Sequence, residues 1–325
     1  MRIVLIGASG FLGRYLLNAL AADGHHSVVL SRAAVRHGDI GLLPGVELVQ
    51  ADVYDADVLA TLFKGADAVV SMAGILNESG GGGKGFHKVH VETVEAIIRA
   101  CDLAGVTRVL HVSALHAGKG SSYYLKSKGE AEGLLKEADS LNVTIFQPSV
   151  IFGRGDRFFN RFASLLRLSW VMPLACPKAR LQPVYAVDVA AAMAAALDDP
   201  MTWGKDYELG GPQSYTLKEL VEWTASSMGL RRWIFGLPRP LSATTAAWMG
   251  LMPGKPFTLD NYRSLQTEST TEQNGFAYFS IVPRSVETVV PDYLTGSVQQ
   301  RRLQTYRRQP RRDGAYLRQP RQDGK

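Results

Sequence analysis

The sequence predicts an α/β protein with a doubly wound parallel sheet, a smaller C-terminal α/β lobe and a disordered basic tail. Three observations lead to this fold class. Strand-like apolar runs alternate with helix-like segments in the first half, the alternation loosens in the second half, and arginines crowd the last residues. Such alternation is typical of βαβ units, whose helices cover both faces of a parallel sheet.

The strands of the first half are continuous apolar runs, and helix-like segments separate most of them. The first helix, over 11–22, has apolar residues at helical spacing, and a later one ends at Gly105. The predicted strands are RIVLIG (2–7), SVVLS (27–31), VELVQADV (46–53), DAVVSMAG (67–74), TRVLHVS (107–113) and NVTIFQPS (142–149).

The second half mixes apolar helical segments with short strands. The helical segments are GDRFFNRFASLLRLSW (155–170), TLKELVEWTASSMG (216–229) and LSATTAAWMGLM (241–252). We expect a nucleotide-binding domain at 1–150, a lobe at 151–296 that closes a cleft over the carboxyl edge of the sheet, and a tail at 297–325. The boundary at 150 is blurred, because such lobes often return strands to the first domain.

Composition narrows the class of protein. It is 46% hydrophobic and 20% charged, as in soluble globular chains, and no apolar run reaches the roughly 18 residues of a membrane span. A strand begins at Arg2, so no leader peptide is expected. Cys101 and Cys176 lack metal-ligand spacing and are interpreted as buried thiols in a reducing compartment. These features predict a cytoplasmic protein.

The net charge of +6 is concentrated in the tail. Residues 300–325 hold eight Arg and one Lys against two Asp, a net of +7, so the remaining chain carries about −1. The tail also repeats RQPRRDG (308–314) as RQPRQDG (318–324). Its low hydrophobicity and like charge predict disorder and an anionic lipid or acidic protein partner. Nucleic acid is a weaker prediction, since Tyr306 and Tyr316 are its only aromatic residues.

A glycine-rich turn, GASGFLG (7–13), directly follows the first strand and opens the first helix. In a Rossmann-type sheet this context predicts a dinucleotide pyrophosphate at the N-terminus of the helix. Gly7 allows the sharp turn, Gly10 the approach of the pyrophosphate and Gly13 the packing of the helix. The turn supplies the predicted contacts Gly7, Ser9, Gly10, Phe11, Leu12 and Gly13. The alternative is an ordinary glycine-rich turn.

The residues after the second strand favour NADP(H) over NAD(H). NAD sites usually carry an acidic residue about 20 positions after the glycines, whereas no acid occurs between Asp23 and Asp39. Arg32 follows the strand and could pair with a 2′-phosphate, with Arg14 assisting. The alternative for Arg32 is a solvent-facing arginine.

Four further residues are predicted to line the nucleotide. Asp52 ends the third strand and either meets the adenine or caps the next turn, and Val53 follows it. Ala73 and Gly74 end the fourth strand, where the chain passes the cofactor.

Tyr124 and Lys128 lie four residues apart in a predicted helix, which stacks them on one face. A lysine ammonium beside a phenol favours the phenolate, so we expect the pKa of Tyr124 to be lowered. Such a pair can move a proton to or from a substrate oxygen. The alternative is a surface aromatic residue beside a solvated lysine. No histidine pair has a convincing third metal ligand, so no metal site is predicted.

The sequence resembles the extended or atypical branch of the short-chain dehydrogenase/reductase superfamily, through GASGFLG, SMAG and YLKSK in the expected order. QPSVIFGRGDRFFNRFA, LQPVYAVDVA, YELGGPQSYTLKEL and PGKPFTLDNYRSLQ resemble the nucleotide-binding accessory subunits of respiratory complex I and their bacterial relatives. The resemblance covers about residues 1–295. It implies that Tyr124 is the catalytic acid or base and that Lys128 holds the nicotinamide ribose.

The resemblance also implies a serine that orients the substrate carbonyl. This chain has Ala114 at about that position, and Ser113 one residue earlier is the remaining candidate. Whether the chain is an enzyme therefore stays open. The first hypothesis is an NADP(H)-binding protein that supports a membrane-associated complex I-type assembly, peripheral at the inner face of the membrane. The alternative is an active NAD(P)H-dependent oxidoreductase on a hydrophobic carbonyl or hydroxyl compound, such as a quinone-, isoprenoid- or steroid-like molecule.

Overall fold

A computed structural model describes residues 1–78, 80–252 and 254–294 of the protein. In the first half the strands are β1 (Arg2–Ile6), β2 (His26–Ser31), β3 (Val46–Gln50), β4 (Ala68–Ser71), β5 (Arg108–Val112) and β6 (Asn142–Pro148). The helices between them are α1 (Phe11–Ala22), α2 (Ala56–Phe63), α3 (Lys84–His87), α4 (Thr93–Ala104) and α5 (Tyr123–Glu137). The predicted disordered tail, 297–325, lies outside the described residues.

The second half contributes shorter strands and more helices. Its strands are β7 (Ile151–Phe152), β8 (Val171–Leu174), β9 (Arg180–Leu181), β10 (Val184–Tyr185), β11 (Lys205–Leu209), β12 (Tyr215–Thr216) and β13 (Trp233–Gly236). Its helices are α6 (Phe159–Leu168), α7 (Ala186–Leu197), α8 (Leu217–Ser227), α9 (Arg239–Leu251), α10 (Leu259–Ser264) and α11 (Val286–Leu294).

The central sheet has seven strands in the order β11-β6-β5-β4-β1-β2-β3, and every neighbouring pair is parallel. The predicted Rossmann-type fold class is confirmed. The chain order reverses between β1 and β4, and such a switch point opens a crevice at the carboxyl ends of the strands. The seventh strand, β11, comes from the second half of the chain.

Apolar cores cover both faces of this sheet, as its continuous apolar strands require. On one face, α1 and α7 pack over Leu5, Val70 and Leu110. On the other face, α2, α4 and α5 pack over alternate residues of the same strands. The second half therefore supplies a helix as well as a strand to the nucleotide-binding sheet.

The lobe has a third core of its own, formed mainly by α6, α8, α11, β8 and β13. Its largest members, Phe152 and Phe159, are fully buried. In the chain, the lobe begins after β6, with the short strand β7 and then α6. It therefore lies at the carboxyl edge of the sheet, where the crevice opens.

Candidate functional site

The glycine-rich turn brings backbone segments together too closely for side chains. Gly7 has a φ of +86°, and a Cβ there would lie 2.6 Å from the amide nitrogen of Ala73. A Cβ on Gly13 would lie 2.2 Å from the carbonyl oxygen of Ala8. The turn is closed by the Gly10 N–H, which donates to the Gly7 carbonyl at 3.1 Å. These contacts fix the start of α1 against the switch point between β1 and β4.

The N-terminus of α1 suits an anion. Gly10 is its N-cap, no described side chain accepts from the first N–H groups, and the first turn contains no acid. Unpaired N–H groups and the helix dipole favour a phosphate at such a terminus. Around Gly10 a Cβ would meet the Gly7 carbonyl oxygen at 3.2 Å and open space otherwise. The turn therefore fits a dinucleotide pyrophosphate.

At the end of β2, Arg32 is exposed and its guanidinium lies 5.7 Å from the ring centroid of Tyr54. The ammonium of Lys88 lies 4.9 Å from the same ring. Arg14, expected to assist Arg32, instead forms an ion pair with Asp39. That contact lowers the pKa of Asp39 through a hydrogen bond from Arg14. Arg32 thus lies exposed after β2 without the assistance expected from Arg14.

Asp52 accepts a hydrogen bond from the Tyr54 N–H at 3.1 Å. The side chain thereby caps the turn into α2, which is one of the two roles predicted for it. The carboxylate is exposed, whereas Val53 next to it is buried in the core. Contact of Asp52 and Val53 with an adenine stays a prediction.

Two aromatic rings hold Tyr124 at the start of α5. Its ring centroid lies 6.0 Å from that of Phe86 and 5.6 Å from that of His90, both in edge-to-face arrangements. Asp260, far away in sequence, accepts from the N–H groups of Tyr123 and Tyr124 at 2.7 and 3.1 Å. A carboxylate at a helix N-terminus stabilises the first turn. The lobe therefore fixes the position of the predicted catalytic tyrosine.

Lys128 is buried one turn further along α5. Its Nζ donates to the carbonyl oxygen of Val112 at 2.9 Å and to that of Ala73 at 3.5 Å. Burial lowers the pKa of Lys128 to about 8. The ammonium thus bridges the ends of β4 and β5, beside Gly74, where a Cβ would lie 3.7 Å from Nζ.

The expected lowering of the Tyr124 pKa is wrong. Burial raises it to about 12, because a phenolate loses its hydration in this site and the low-dielectric surroundings favour the neutral phenol. If both side chains were in water, the Lys128 ammonium would favour the phenolate, as the spacing predicts. Desolvation, which depends on the packing around them, has the larger effect on the phenol.

His90 is a site residue that the sequence reasoning missed. It lies in a π-helical turn, Lys88–Glu92, between α3 and α4, and such turns are frequent at functional sites. Its Nε2 accepts from the Ile75 N–H at 3.2 Å, so Nδ1 carries the proton and donates to Ser127 Oγ at 2.8 Å. Ser127 Oγ donates onward to the Tyr124 carbonyl at 2.9 Å. His90 thereby joins the β4 loop to α5.

The imidazole of His90 is held neutral. Burial, and then the charges of Lys128 and His111, lower its pKa to about 2. In the sequence it lies at helical spacing from His87, a pair with no convincing third metal ligand. No sequence signal marked the π-helical turn, which is what directs the ring toward Ser127.

Ser113 lies where the chain leaves β5. Backbone pairing with the neighbouring strand continues past the end of β5, since the Ser113 N–H donates to the Phe146 carbonyl at 2.7 Å and the Leu115 N–H to the Pro148 carbonyl at 3.1 Å. The Ser113 hydroxyl is buried and has no hydrogen-bond partner among the described residues. Its catalytic role stays a prediction.

Comparison with known proteins places this geometry in a family. Residues 7–157 match the family model described as NAD(P)H-binding. The chain is 35% identical over 270 residues to NADH dehydrogenase [ubiquinone] 1 alpha subcomplex subunit 9 of Mus musculus, covering 78% of this chain and 68% of that protein. The chain belongs to the extended short-chain dehydrogenase/reductases. The predicted resemblance is confirmed.

A second relative of this protein has a different name. The ceramide reductase of Caulobacter vibrioides is 31% identical over 254 residues, covering 77% of this chain and 78% of that protein. Among solved structures, a nucleoside-diphosphate-sugar epimerase of Staphylococcus aureus aligns with a TM-score of 0.71 at 21% identity, over 88% of this chain and 98% of that one. This last likeness shows the fold alone.

A cleft of about 290 Å³ opens beside Tyr123, the residue before Tyr124. Its lining mixes apolar with charged side chains, including Phe86, Tyr123, Leu251, Leu259, Glu78, Arg263 and Asp260. The loop after β4 is joined to the lobe across it. Lys255 donates to the Glu78 carbonyl at 2.7 Å, and Asn261 donates to the Leu76 carbonyl at 3.0 Å. Gly80, Gly81 and Gly82 line the same cleft, which therefore lies between the loop after β4 and the lobe.

Within residues 1–78, 80–252 and 254–294, no group of three or more His, Cys, Asp or Glu could hold a metal ion. The same part of the chain contains no helix with the length and apolar character of a membrane span. Cys101 is buried and free, and Cys176 is half-buried rather than fully buried as expected.

Proposed function

We propose that this protein binds NADP(H) in preference to NAD(H) and supports a complex I-type assembly, at the cytoplasmic face of the membrane. One observation carries the proposal: the dinucleotide turn is complete, whereas the position of the substrate-orienting serine holds Ala114. Its relatives support the assembly role, because those of Mus musculus and Arabidopsis thaliana are named as NADH dehydrogenase subunits.

Charge supports the preference for NADP(H). Arg32 is exposed at the position where NAD sites carry an acid, and no ion pair occupies it among the described residues. A guanidinium there pairs with a 2′-phosphate, and a carboxylate would repel it. The Lys88 ammonium, 4.9 Å from the centroid of the Tyr54 ring, adds a second positive charge nearby.

The nucleotide contacts follow from the geometry of the turn and of α5. The N–H groups of Phe11, Leu12 and Gly13 would hold the pyrophosphate. Ser9 would line the same turn. The backbone at Ala73 and Gly74 would run alongside the nicotinamide half of the cofactor. The Lys128 ammonium, already fixed to two carbonyl groups, would donate to the ribose.

A second function is favoured by the retention of Tyr124 and Lys128 and by the relative named ceramide reductase. In this alternative the protein reduces a hydrophobic carbonyl compound, and the nicotinamide supplies the hydride. Tyr124 would donate its proton to the developing alkoxide, Lys128 would stabilise the resulting phenolate, and Ser113 would be the remaining hydroxyl near the carbonyl. A variant Tyr124→Phe should then lose about a hundredfold or more in turnover; full turnover by that variant would contradict this mechanism.

The dissociation rate of NADPH from the purified protein separates the two functions. The fluorescence of bound NADPH would be followed after addition of an excess of a competing, non-fluorescent nucleotide. A cosubstrate must leave at least as fast as turnover, about 1–10³ s⁻¹ for ordinary enzymes. Release over minutes would support a resident nucleotide in a supporting protein. Release within a second would contradict that role and direct the search to a carbonyl substrate.

The Arg-rich tail would add an electrostatic contact with the anionic membrane surface. Each basic residue near such a surface contributes about 1 kcal/mol, and this attraction falls off within a Debye length. Deletion of residues 300–325 should remove the salt-sensitive part of vesicle association, measured by flotation. Unchanged association after the deletion would contradict the role proposed for the tail.

A further inference from the structure

The basic residues of the folded chain are not evenly spread. Residues 157–187 and 223–259 contain nine Arg and Lys and no Asp or Glu. Residues 1–299 carry a net charge of about −1. Without these nine basic residues, the net charge of 1–299 would be about −10. Both segments belong to the lobe, where they form α6, β8, β13 and α9. The lobe thus has a strongly cationic part within a chain body that is nearly neutral on average.

One group of the large apolar side chains that these segments expose lies around β8 and β13. Leu168, Trp170 and Val171 are 85%, 74% and 42% exposed, and Trp233 is 67% exposed. We call these four residues the tryptophan patch. They adjoin one another, because Val171 and Trp233 are partners in the parallel β8–β13 pair and the Trp233 N–H donates to the Trp170 carbonyl at 3.0 Å.

The exposure of the patch is not required by the core of the lobe. Along β8 and β13 the alternate residues Met172, Leu174 and Ile234 are buried in that core. A strand directs successive side chains to opposite faces, so the residues between them face outward. Polar residues at these outward positions would leave the buried face unchanged, and the chain instead has Val171 and Trp233 there.

Arginine side chains lie beside the tryptophan patch, as expected for a surface that contacts lipid phosphates. The Arg232 guanidinium lies 4.7 Å from the ring centroid of Trp170 and is fixed by a hydrogen bond to the Leu166 carbonyl. Arg167 and Arg231 are exposed beside it. Tryptophan rings at the level of lipid headgroups, with arginines reaching the phosphates, are the usual composition of a membrane-interface surface.

We propose that the tryptophan patch is a membrane-docking surface that inserts Trp170 and Trp233 among the headgroups of an anionic bilayer. The charge of the two acid-free segments selects the anionic lipid, and the patch supplies the apolar contact. This extends the membrane association proposed for the tail to a folded surface. It does not depend on the nucleotide site, so either proposal can fail without the other.

The test uses the full-length protein and vesicles of phosphatidylcholine alone, or of phosphatidylcholine and phosphatidylglycerol in equal parts. Intrinsic fluorescence comes from the five tryptophans of residues 1–294, so variants lacking Trp170 and Trp233 identify the contribution of the patch. With anionic vesicles we expect a blue shift and quenching by lipids brominated on the acyl chain. The double variant Trp170→Phe/Trp233→Phe should bind with most of this quenching lost. Persistence of the quenching in that variant would overturn the proposal.

The energetic contribution is measured by flotation of the double variant Trp170→Ser/Trp233→Ser. Association with anionic vesicles should weaken about tenfold or more, because two large apolar side chains are removed from the contact. The matched control is Trp203→Ser. Trp203 is 42% exposed but follows Asp198 and Asp199 in an acidic stretch, so its replacement should leave association unchanged.

NADPH binding and the thermal midpoint should be unchanged in all of these variants, since the replaced side chains face outward. Equal association of the serine variant and the wild type would overturn the proposal, as would equal association of the wild type with neutral and anionic vesicles. A wild-type protein that binds neither vesicle would also overturn it and would leave an acidic protein as the partner of this surface.

Discussion

The two ends of the nucleotide site are held by different kinds of contact, one by close backbone packing and the other by side chains. At the phosphate end, Gly7 and Gly13 hold backbone segments within distances that exclude a Cβ. At the catalytic end, Tyr124, His90 and Asp260 come from three separate elements and are fixed by rings and hydrogen bonds. A backbone site fails when one atom is added, whereas a side-chain site fails when a partner is removed. The expected effects of substitutions differ accordingly.

The largest effect is expected at the phosphate end. The variant Gly13→Ala places a Cβ 2.2 Å from the Ala8 carbonyl oxygen, so α1 must move. We expect a loss of about 3 kcal/mol in the free energy of unfolding and a loss of about a hundredfold in NADPH affinity. Urea unfolding and fluorescence titration measure the two quantities.

The matched control is Gly133→Ala, in α5, where a Cβ would meet nothing within 4 Å. Alanine replaces glycine in a helix in both variants, but the control should gain about 0.5–1 kcal/mol. If both variants lost stability equally, the close packing at Gly13 would not be the cause.

At the catalytic end, His90 should make the fold sensitive to acid. Its pKa falls from 6.5 to about 2 on folding, so below about pH 6.5 the unfolded chain binds a proton that the folded chain does not. The stabilisation is complete above that pH and declines by about 1.4 kcal/mol per pH unit below it. By pH 5 the loss is about 2 kcal/mol. His111, whose pKa is also lowered by burial, adds a similar slope.

Urea unfolding at a series of pH values measures this slope. The variant His90→Asn should have a lower stability at neutral pH and a shallower decline below about pH 6.5, because one of the two protons is no longer taken up. An identical slope in the variant and the wild type would show that His90 is not buried as a neutral ring.

The cap supplied by the lobe should matter less. Removing the carboxylate in Asp260→Ala leaves the N–H groups of Tyr123 and Tyr124 without their partner, at a cost of about 1.5 kcal/mol. Asp55→Ala removes an equivalent cap from α2, where Asp55 accepts from Asp57 and Val58. Both variants should lose similar stability. A further loss of NADPH affinity should follow only for Asp260→Ala, because α5 carries Lys128; equal affinity in both variants would contradict a link between lobe and site.

The smallest effect is expected at Arg32, which touches little of the protein. The variant Arg32→Ala should leave the free energy of unfolding unchanged and weaken NADPH about tenfold, since it removes one charge-assisted pair. NADH affinity is the internal control and should not change. Equal losses for the two nucleotides would contradict the proposed contact with the 2′-phosphate.

Features that depend on neighbours in sequence were predictable. The alternation of apolar runs predicted the parallel sheet, and glycines directly after β1 predicted the turn, because both depend on local backbone geometry. Which side chains of the apolar segment 162–175 are buried depends on the tertiary structure: Leu166 and Met172 are buried, whereas Leu168 and Trp170 are exposed.

The sequence by itself determined the strands of the first half, the position of the phosphate turn and the spacing that places Tyr124 and Lys128 on one face of α5. The tertiary structure decided that β11 completes the sheet, that His90 and Asp260 join the site, and that the pKa of Tyr124 rises to about 12 rather than falling. The physical reason is that backbone conformation and i, i+4 spacing are local properties of the chain. Desolvation and long-range hydrogen bonds exist only once distant segments have packed together.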